Sequence, residues 1–208
     1  MKAYKFRPAS QIQYAFDIML NSRLFCADWR QLNDPMEGMF AYSYKSSRED
    51  DIKEQVARVV EQKKGLKVCS LAKTFDCHLL WAHYASGFEG LAIEVELPDD
   101  APEIKEVSYR GVFASLTFGD DFSPEQAAEQ VLSSKYREWE YEQEVRVLQR
   151  DAYFYLPSPV KRVIAGHRME PALFKALQIV CERKDIELSR VGIGDDGIDA
   201  DYVEPLNI

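Results

Sequence analysis

Short stretches in which apolar residues alternate with polar ones, or run together, predict a protein rich in strands. Neighbouring side chains on a strand point to opposite faces, so a half-buried strand shows a period of two. Stretches of this kind lie at 4–7, 23–27, 66–72, 90–97, 141–148, 160–166 and 186–193, and a closing strand is predicted after the Asp-Asp-Gly at 195–197. Residues 103–110 are predicted to be extended and 111–121 to form a turn-rich loop.

Apolar residues spaced three or four apart predict helices between these strands. The helical stretches lie near 10–20, at 48–64, at 77–86, from about 123 onwards, and at 171–184. Ser10 is predicted to cap the first helix, and Gly87 or Gly90 to end the third, which is apolar nearly all round and therefore buried. The Asn, Asp and Pro residues of 32–38 (LNDPMEG) predict a turn.

The order of these elements predicts an α+β fold with mixed, largely antiparallel central sheets and flanking helices. Several strands follow one another with no helix between them, which favours antiparallel pairing because a parallel pair needs a longer crossover. The chain has 208 residues, 46% of them hydrophobic, and shows no repeat or linker. We expect a single domain over residues 1–208.

The charge balance limits the partners expected for this chain. A formal net charge of −9 and a pI near 5.0 argue against binding to nucleic acid or to an anionic membrane, although local arginines still allow a nucleotide ligand. No segment approaches the roughly 18 apolar residues of a membrane span, and residues 1–10 lack the apolar run of a secretion signal. The four cysteines show no disulfide-framework spacing, so a cytoplasmic location is expected.

Candidate metal ligands are present, but their spacing is wrong for known sites. Cys69, Cys77, His78 and His83 include no Cys-x-x-Cys pair, and the two histidines are on different sides of a helix. The aspartates of 194–201 (GDDGIDAD) lack the terminal glutamate of a calcium loop and read as a solvated turn. We therefore expect no metal.

The strand predicted at 141–148 (YEQEVRVL) contains the residues best suited to a functional site. Alternation places Glu142, Glu144 and Arg146 on one face, with the two carboxylates roughly 6 to 7 Å apart. On an exposed face these residues would form ordinary cross-strand ion pairs. In an enclosed site the carboxylates would repel each other, and Arg146 would offset the repulsion. The pattern favours the exposed face and leaves the enclosed site open.

Five stretches resemble a bacterial family described as domain of unknown function 2971. In chain order they are YKFR (4–7), LNDPMEG (32–38), VCSLA (68–72), LLWAHYASGFEGLAIEVEL (79–97) and WEYEQEVRV (139–147). The family more often has Phe before the serine of the third stretch, where this chain has Cys69. The family name implies no activity.

The order of these features is also similar to the ADP-ribosyltransferase fold. In that fold an early strand ends in Arg or His, a middle strand carries Ser before a helix, and a late strand carries Glu-x-Glu. The matching residues here are Arg7, then Ser70, then Glu142 and Glu144, and the resemblance implies that they surround a cleft for NAD. Glu144 would stabilise the positive charge that develops on the ribose as the nicotinamide bond breaks.

The resemblance also implies roles for the remaining residues, several of them with a structural alternative. Arg7 would hold a phosphate or the adenosine ribose, or instead pair with a glutamate across strands. Ser70 would orient Glu144. Glu142 would assist the acceptor or be structural. Trp81 and Tyr84 would stack on the nicotinamide or pack in the core.

The leading expectation is an NAD-dependent ADP-ribosyltransferase-like enzyme that acts on an unknown acceptor. The alternative is a non-catalytic nucleotide-binding or protein-interaction module of the same fold. A pocket beside Arg7 and Glu144 would indicate the enzyme. If the two residues are buried together, or lie on a flat surface, the module is indicated instead. A third hypothesis is another nucleotide chemistry on this fold, such as phosphate transfer, for which the acidic pI disfavours a long RNA substrate.

Overall fold

The computed structural model describes residues 1–44, 49–119, 121–194 and 197–199. Its helices are α1 (Ile12–Asn21), α2 (Glu49–Lys64), α3 (His78–Tyr84), α4 (Pro124–Leu132) and α5 (Pro171–Lys184). Its strands are β1 (Lys2–Arg7), β2 (Arg23–Phe25), β3 (Ala27–Asp28), β4 (Phe40–Tyr44), β5 (Lys67–Ala72), β6 (Leu91–Glu96), β7 (Ile104–Glu106), β8 (Ser108–Tyr109), β9 (Ala114–Phe118), β10 (Ser134–Lys135), β11 (Glu144–Gln149), β12 (Tyr153–Tyr155), β13 (Arg162–Gly166), β14 (Glu187–Gly194) and β15 (Gly197–Asp199). The expected α+β class, with mostly antiparallel pairing, is confirmed.

The chain divides into two compact units, each assembled from separate stretches of sequence. The first unit contains Met1–Leu24, Leu71–Asp99 and the described part of Tyr155–Ile208. The second contains Phe25–Ser70 and Asp100–Phe154. Neither unit is a continuous segment, so both depend on contacts between residues far apart in sequence.

The first unit is built on a sheet in the order β15-β14-β13-β6-β1. All these neighbours are antiparallel except β13 and β14, which run parallel and are joined by α5. β1 also pairs with the end of β5, where Tyr4 lies opposite Ala72. The parallel pair requires a crossover, and α5 supplies it.

The core of the first unit forms where α3 packs against β1. The Trp81 ring is fully buried, stacks on Phe88 at 5.3 Å and meets Phe6 edge-on at 5.2 Å. Its indole nitrogen donates to the Phe75 carbonyl at 2.8 Å, so its one polar group is satisfied. α3 ends at Tyr84, and Gly87, at φ +62°, donates its amide back to the Trp81 carbonyl at 3.0 Å.

The second unit contains several pairs of strands and two α-helices among its described residues. β4 and β9 pair in parallel, β7 and β11 antiparallel, and β8 and β10 in parallel. α2 packs against α4. The shared core consists of buried residues from both helices and from β9: Ile52, Val59, Ala114, Leu116, Phe118, Ala127 and Val131.

Some predicted boundaries are wrong. The first helix is preceded by a 3-10 turn at Ala9–Gln11, and no side chain caps its start, so Ser10 is not the cap. The strand predicted at 141–148 begins only at Glu144, because residues Arg137–Glu142 form a 3-10 helix and Gln143 turns the chain in the left-handed region at φ 43°. β4 was not predicted at all, and β9 lies within the predicted loop. Of the aspartate-rich run at 194–201, only 194 and 197–199 lie within the described residues.

Two further expectations concern the chain as a whole. All four cysteines are free thiols. Among the residues that the structure describes, no helix is both long enough and apolar enough to cross a membrane.

Candidate functional site

Five charged side chains are buried together in the second unit. They are Glu37 from the turn before β4, Lys135 from β10, Glu142 from the 3-10 helix, and Glu144 and Arg146 from β11. We call these five residues the charge cluster. Their exposed fractions run from 0% for Arg146 to 8% for Glu37. The interpretation of this charged face as an exposed strand surface is therefore wrong.

Arg146 is the centre of the charge cluster. Its Nη2 and Nη1 donate to the two oxygens of Glu37 at 2.5 and 2.8 Å. Its Nε and Nη2 donate to the two oxygens of Glu144 at 2.7 and 3.1 Å. Nη1 also donates to the Leu132 carbonyl at 2.7 Å. A guanidinium has five N–H donors, so every donor of this buried group has a partner.

Lys135 supplies the second positive charge. Its Nζ donates to Glu142 at 2.6 Å and to Glu144 at 3.1 Å, and it lies 3.9 Å from Glu37. The same nitrogen lies 4.9 Å from the centre of the Trp139 ring. The cluster thus holds three carboxylates against two cations, a formal charge of −1. Charges buried at this depth require such pairing.

The turn at 32–38 brings Glu37 to Arg146. Asp34 accepts a hydrogen bond from the Met36 amide at 2.9 Å, which is the predicted Asx turn. Gly38 follows at φ +74°, and a Cβ added there would lie 2.5 Å from the Trp29 ring. The ammonium of Lys63, itself buried, donates to the Gly38 carbonyl. The turn is therefore fixed on both sides of Glu37.

Two further residues hold Glu144. The Ser70 side chain hydrogen-bonds its carboxylate. The Tyr109 hydroxyl accepts from its backbone amide at 2.7 Å. Burial and the nearby carboxylates raise the pKa of Tyr109 well above its usual range, so the phenol stays protonated.

The electrostatics keep the cluster ionised. Burial by itself would raise the pKa of Glu144, but Arg146 and Lys135, together with hydrogen bonds from Arg146 and Ser70, lower it to about 2. Burial opposes the charge of Lys135, but Glu144 and Glu142 outweigh it and raise the pKa of the lysine. The pKa of Arg146 is raised by Glu144 and Glu37 against the effect of burial. Glu144 is thus a carboxylate at neutral pH, fixed by several donors.

The structure brings together four of the residues singled out from the sequence: Ser70, Glu142, Glu144 and Arg146. Sequence reasoning missed Glu37 and Lys135 as members of this group. Glu37 lies within the LNDPMEG stretch, which was interpreted only as a turn. The feature of the sequence that could have pointed to its place in the cluster is the charge of its side chain. No pattern around Lys135 pointed to the cluster.

The other predicted residues belong to the first unit. Arg7 ends β1 half-buried, with its guanidinium 5.7 Å from the centre of the Tyr14 ring. Trp81 is fully buried in the core, so its ring packs against other core residues, which is the structural alternative given for it. Tyr84 is partly buried against the same core. In the described part of the chain there is no group of three or more His, Cys, Asp or Glu side chains arranged to hold a metal ion.

Comparisons of this chain with protein-family models, with curated proteins and with solved structures found no match. The resemblances to domain of unknown function 2971 and to the ADP-ribosyltransferase fold therefore stay predictions.

Proposed function

We propose that this protein is a non-catalytic nucleotide-binding module built on a scaffold of the ADP-ribosyltransferase type. The closure of the charge cluster supports the non-catalytic part of this proposal, and the resemblance to the ADP-ribosyltransferase fold supports the nucleotide. Arg146 has all five donors engaged, and Glu144 is only 4% exposed. A carboxylate that is buried and held by hydrogen bonds in this way has a structural role in its unit.

The energetics support the same proposal. A catalytic carboxylate stabilises charge that develops on a substrate, which requires direct approach in a site from which water is excluded. To reach a ribose, Glu144 would have to give up hydrogen bonds to Arg146 or Lys135. Leaving one charge of such a buried network unpaired costs about 3–5 kcal/mol. The cluster is better suited to hold the second unit together than to react.

Calorimetry with NAD and ADP-ribose, combined with a nicotinamide-release assay, tests this proposal. We expect nucleotide binding but no nicotinamide release above the protein-free background, both for the wild type and for Glu144→Gln. Glu140→Gln is the matched control, since Glu140 is an exposed glutamate on the neighbouring 3-10 helix. Release by the wild type and by Glu140→Gln that is lost in Glu144→Gln would overturn the proposal, as would no binding of either nucleotide.

The second candidate is NAD-dependent ADP-ribosyl transfer, favoured by one specific observation. Ser70 hydrogen-bonds the Glu144 carboxylate, the role that the resemblance to the ADP-ribosyltransferase fold implies for it, and the pKa of Glu144 near 2 keeps that carboxylate charged. In this reaction the C–N bond between nicotinamide and ribose breaks, nicotinamide leaves with the bonding electrons, and Glu144 stabilises the cationic sugar until an acceptor attacks. Transfer of labelled ADP-ribose that requires both Glu144 and Ser70 would favour this candidate.

A further inference from the structure

A cleft of about 410 Å³ opens in the first unit, where β13 leads into α5. Its lining includes the loop residues His167 and Arg168, Phe174 and Lys175 from α5, and Arg190 from β14. Its volume falls in the range of small-molecule sites. None of its lining residues belongs to the charge cluster.

The lining of this cleft has the opposite charge to the chain as a whole. The protein carries a formal net charge of −9, yet the cleft is lined by Arg168, Lys175 and Arg190, with no carboxylate among its described lining residues. The nearby Glu89 lies 3.8 Å from Arg168. Three cations around one concave surface raise the local concentration of anions despite an acidic surface elsewhere.

Arg190 is already oriented towards the loop that follows β13. Its Nη2 donates to the carbonyls of His167 at 3.2 Å and Met169 at 3.4 Å. Its guanidinium carbon lies 4.7 Å from the centre of the Phe174 ring. These contacts keep the planar group at the cleft, which reduces the entropy lost when it binds an oxyanion.

The cleft lies in the β13–α5–β14 unit, the only parallel crossover that the described part of the first-unit sheet contains. Ligands of α/β units bind where the chain leaves the carboxyl end of a strand. The amide of Leu173 at the start of α5 is already bonded to the Glu170 side chain at 2.8 Å. The charged side chains, and not the backbone amides at the start of α5, are therefore the groups that would donate hydrogen bonds to a bound anion.

We infer that this cleft binds the phosphate groups of a small phosphorylated ligand, with Lys175, Arg190 and Arg168 as the cations that contact them. The inference rests on the proposed nucleotide-binding function for the ligand class, a nucleoside diphosphate, and gives that function a location. Arg190 contributes a positioned charge, since its contacts with the His167 and Met169 carbonyls and with the Phe174 ring hold its guanidinium at the cleft, and Lys175 adds a second charge from α5.

Calorimetry on the full chain with ADP and with inorganic pyrophosphate tests the inference, and uncharged adenosine is the ligand control. Lys175→Gln is the main variant because Lys175 is exposed, which leaves the fold intact. Lys184→Gln is its matched control on α5, exposed and outside the cleft. We expect ADP and pyrophosphate to bind, adenosine to bind far more weakly, and Lys175→Gln to weaken ADP binding by about tenfold while Lys184→Gln does not.

Arg190→Lys is the second variant: it keeps the charge but removes the guanidinium contacts with the His167 and Met169 carbonyls that position it, and we expect it also to weaken ADP binding. Unchanged ADP affinity in Lys175→Gln and in a folded Arg190→Lys would overturn the inference, and so would equal binding of adenosine and ADP or no binding of ADP and pyrophosphate. Failure of the proposed function appears differently, as Glu144-dependent nicotinamide release or as no binding of NAD and ADP-ribose.

Discussion

The guanidinium of Arg146 and the carboxylate of Glu37 meet through two hydrogen bonds, of 2.5 and 2.8 Å, across 109 residues of sequence. Both side chains are almost fully buried. The pair joins the turn before β4 to the strand β11, so the second unit depends on an ionic contact where most cores have apolar packing. Removing one partner of such a buried pair is strongly destabilising, because it leaves the other group buried without its partner.

Removal of the Glu37 charge should destabilise the protein strongly. Glu37→Gln replaces one of the two oxygens that accept from Arg146 with an amide NH₂, which leaves a donor of the buried guanidinium without a partner, and we expect the free energy of unfolding to fall by about 3–5 kcal/mol. Urea denaturation, followed by far-UV circular dichroism, measures this change. Glu140→Gln on the exposed face of the 3-10 helix should change it by less than about 0.5 kcal/mol. Equal effects of the two substitutions would contradict the burial of the pair.

Acid should destabilise the protein through Glu144. The pKa of this carboxyl is lowered from 4.5 to about 2 in the folded state. A lowered folded-state pKa contributes stability that is present above pH 4.5 and is lost as the pH falls towards 2, because the unfolded state takes up the proton first. We expect Glu144→Gln, which cannot titrate, to show a flatter dependence of unfolding free energy on pH in this window than the wild type. Parallel pH profiles would show that Glu144 is not held as an ion.

Ser70 should stabilise the ionised form of Glu144. Ser70→Ala removes a hydrogen bond to a buried charge, and we expect a loss of about 1.5–3 kcal/mol, together with a higher pKa for Glu144. Ser158→Ala is the control, because Ser158 donates to Glu96 in an exposed hydrogen bond of 3.3 Å. Chemical denaturation of both variants, at neutral pH and at pH 3, measures the difference. A loss no larger than that of Ser158→Ala would contradict the contact.

Gly38 should tolerate a side chain less well than Gly111. It has φ +74°, and its added Cβ would lie 2.5 Å from the Trp29 ring, whereas Gly111 has φ +56° and open space around it. Gly111→Ala should therefore cost only the backbone strain of about 1–2 kcal/mol. Gly38→Ala should cost clearly more, because the clash also displaces the turn that carries Glu37. Thermal or urea unfolding of both variants gives the comparison, and equal costs would contradict the close approach.

The sequence predicted those elements whose signals are local. α5 matches its predicted limits of 171–184, and α4 begins at Pro124 with Ser123 accepting a hydrogen bond from Gln126, as the Ser-Pro signal implies. β4 and β9 were missed because, within the described residues, each pairs only with the other, over a separation of 74 residues, and nothing local marks them. Pairing at such distances is decided by tertiary packing.

The candidate site was predicted only in part for the same reason. Glu144 and Arg146 were placed on one face of a strand, which the structure confirms. Glu142 reaches Lys135 from a 3-10 helix instead, because Gln143 adopts a left-handed conformation that is uncommon for a residue other than glycine. Glu37 and Lys135 join the group through contacts that periodicity does not encode.

A double-mutant cycle between Glu37 and Arg146 tests the closed charge cluster most directly. Glu37→Gln, Arg146→Met and the double variant are compared with the wild type by urea denaturation at neutral pH. The closed cluster predicts a double variant that is less destabilised than the sum of the single variants, with a coupling energy of about 2–3 kcal/mol. A coupling energy below about 0.5 kcal/mol would mean that the pair is solvated and the cluster is not closed, which contradicts the account.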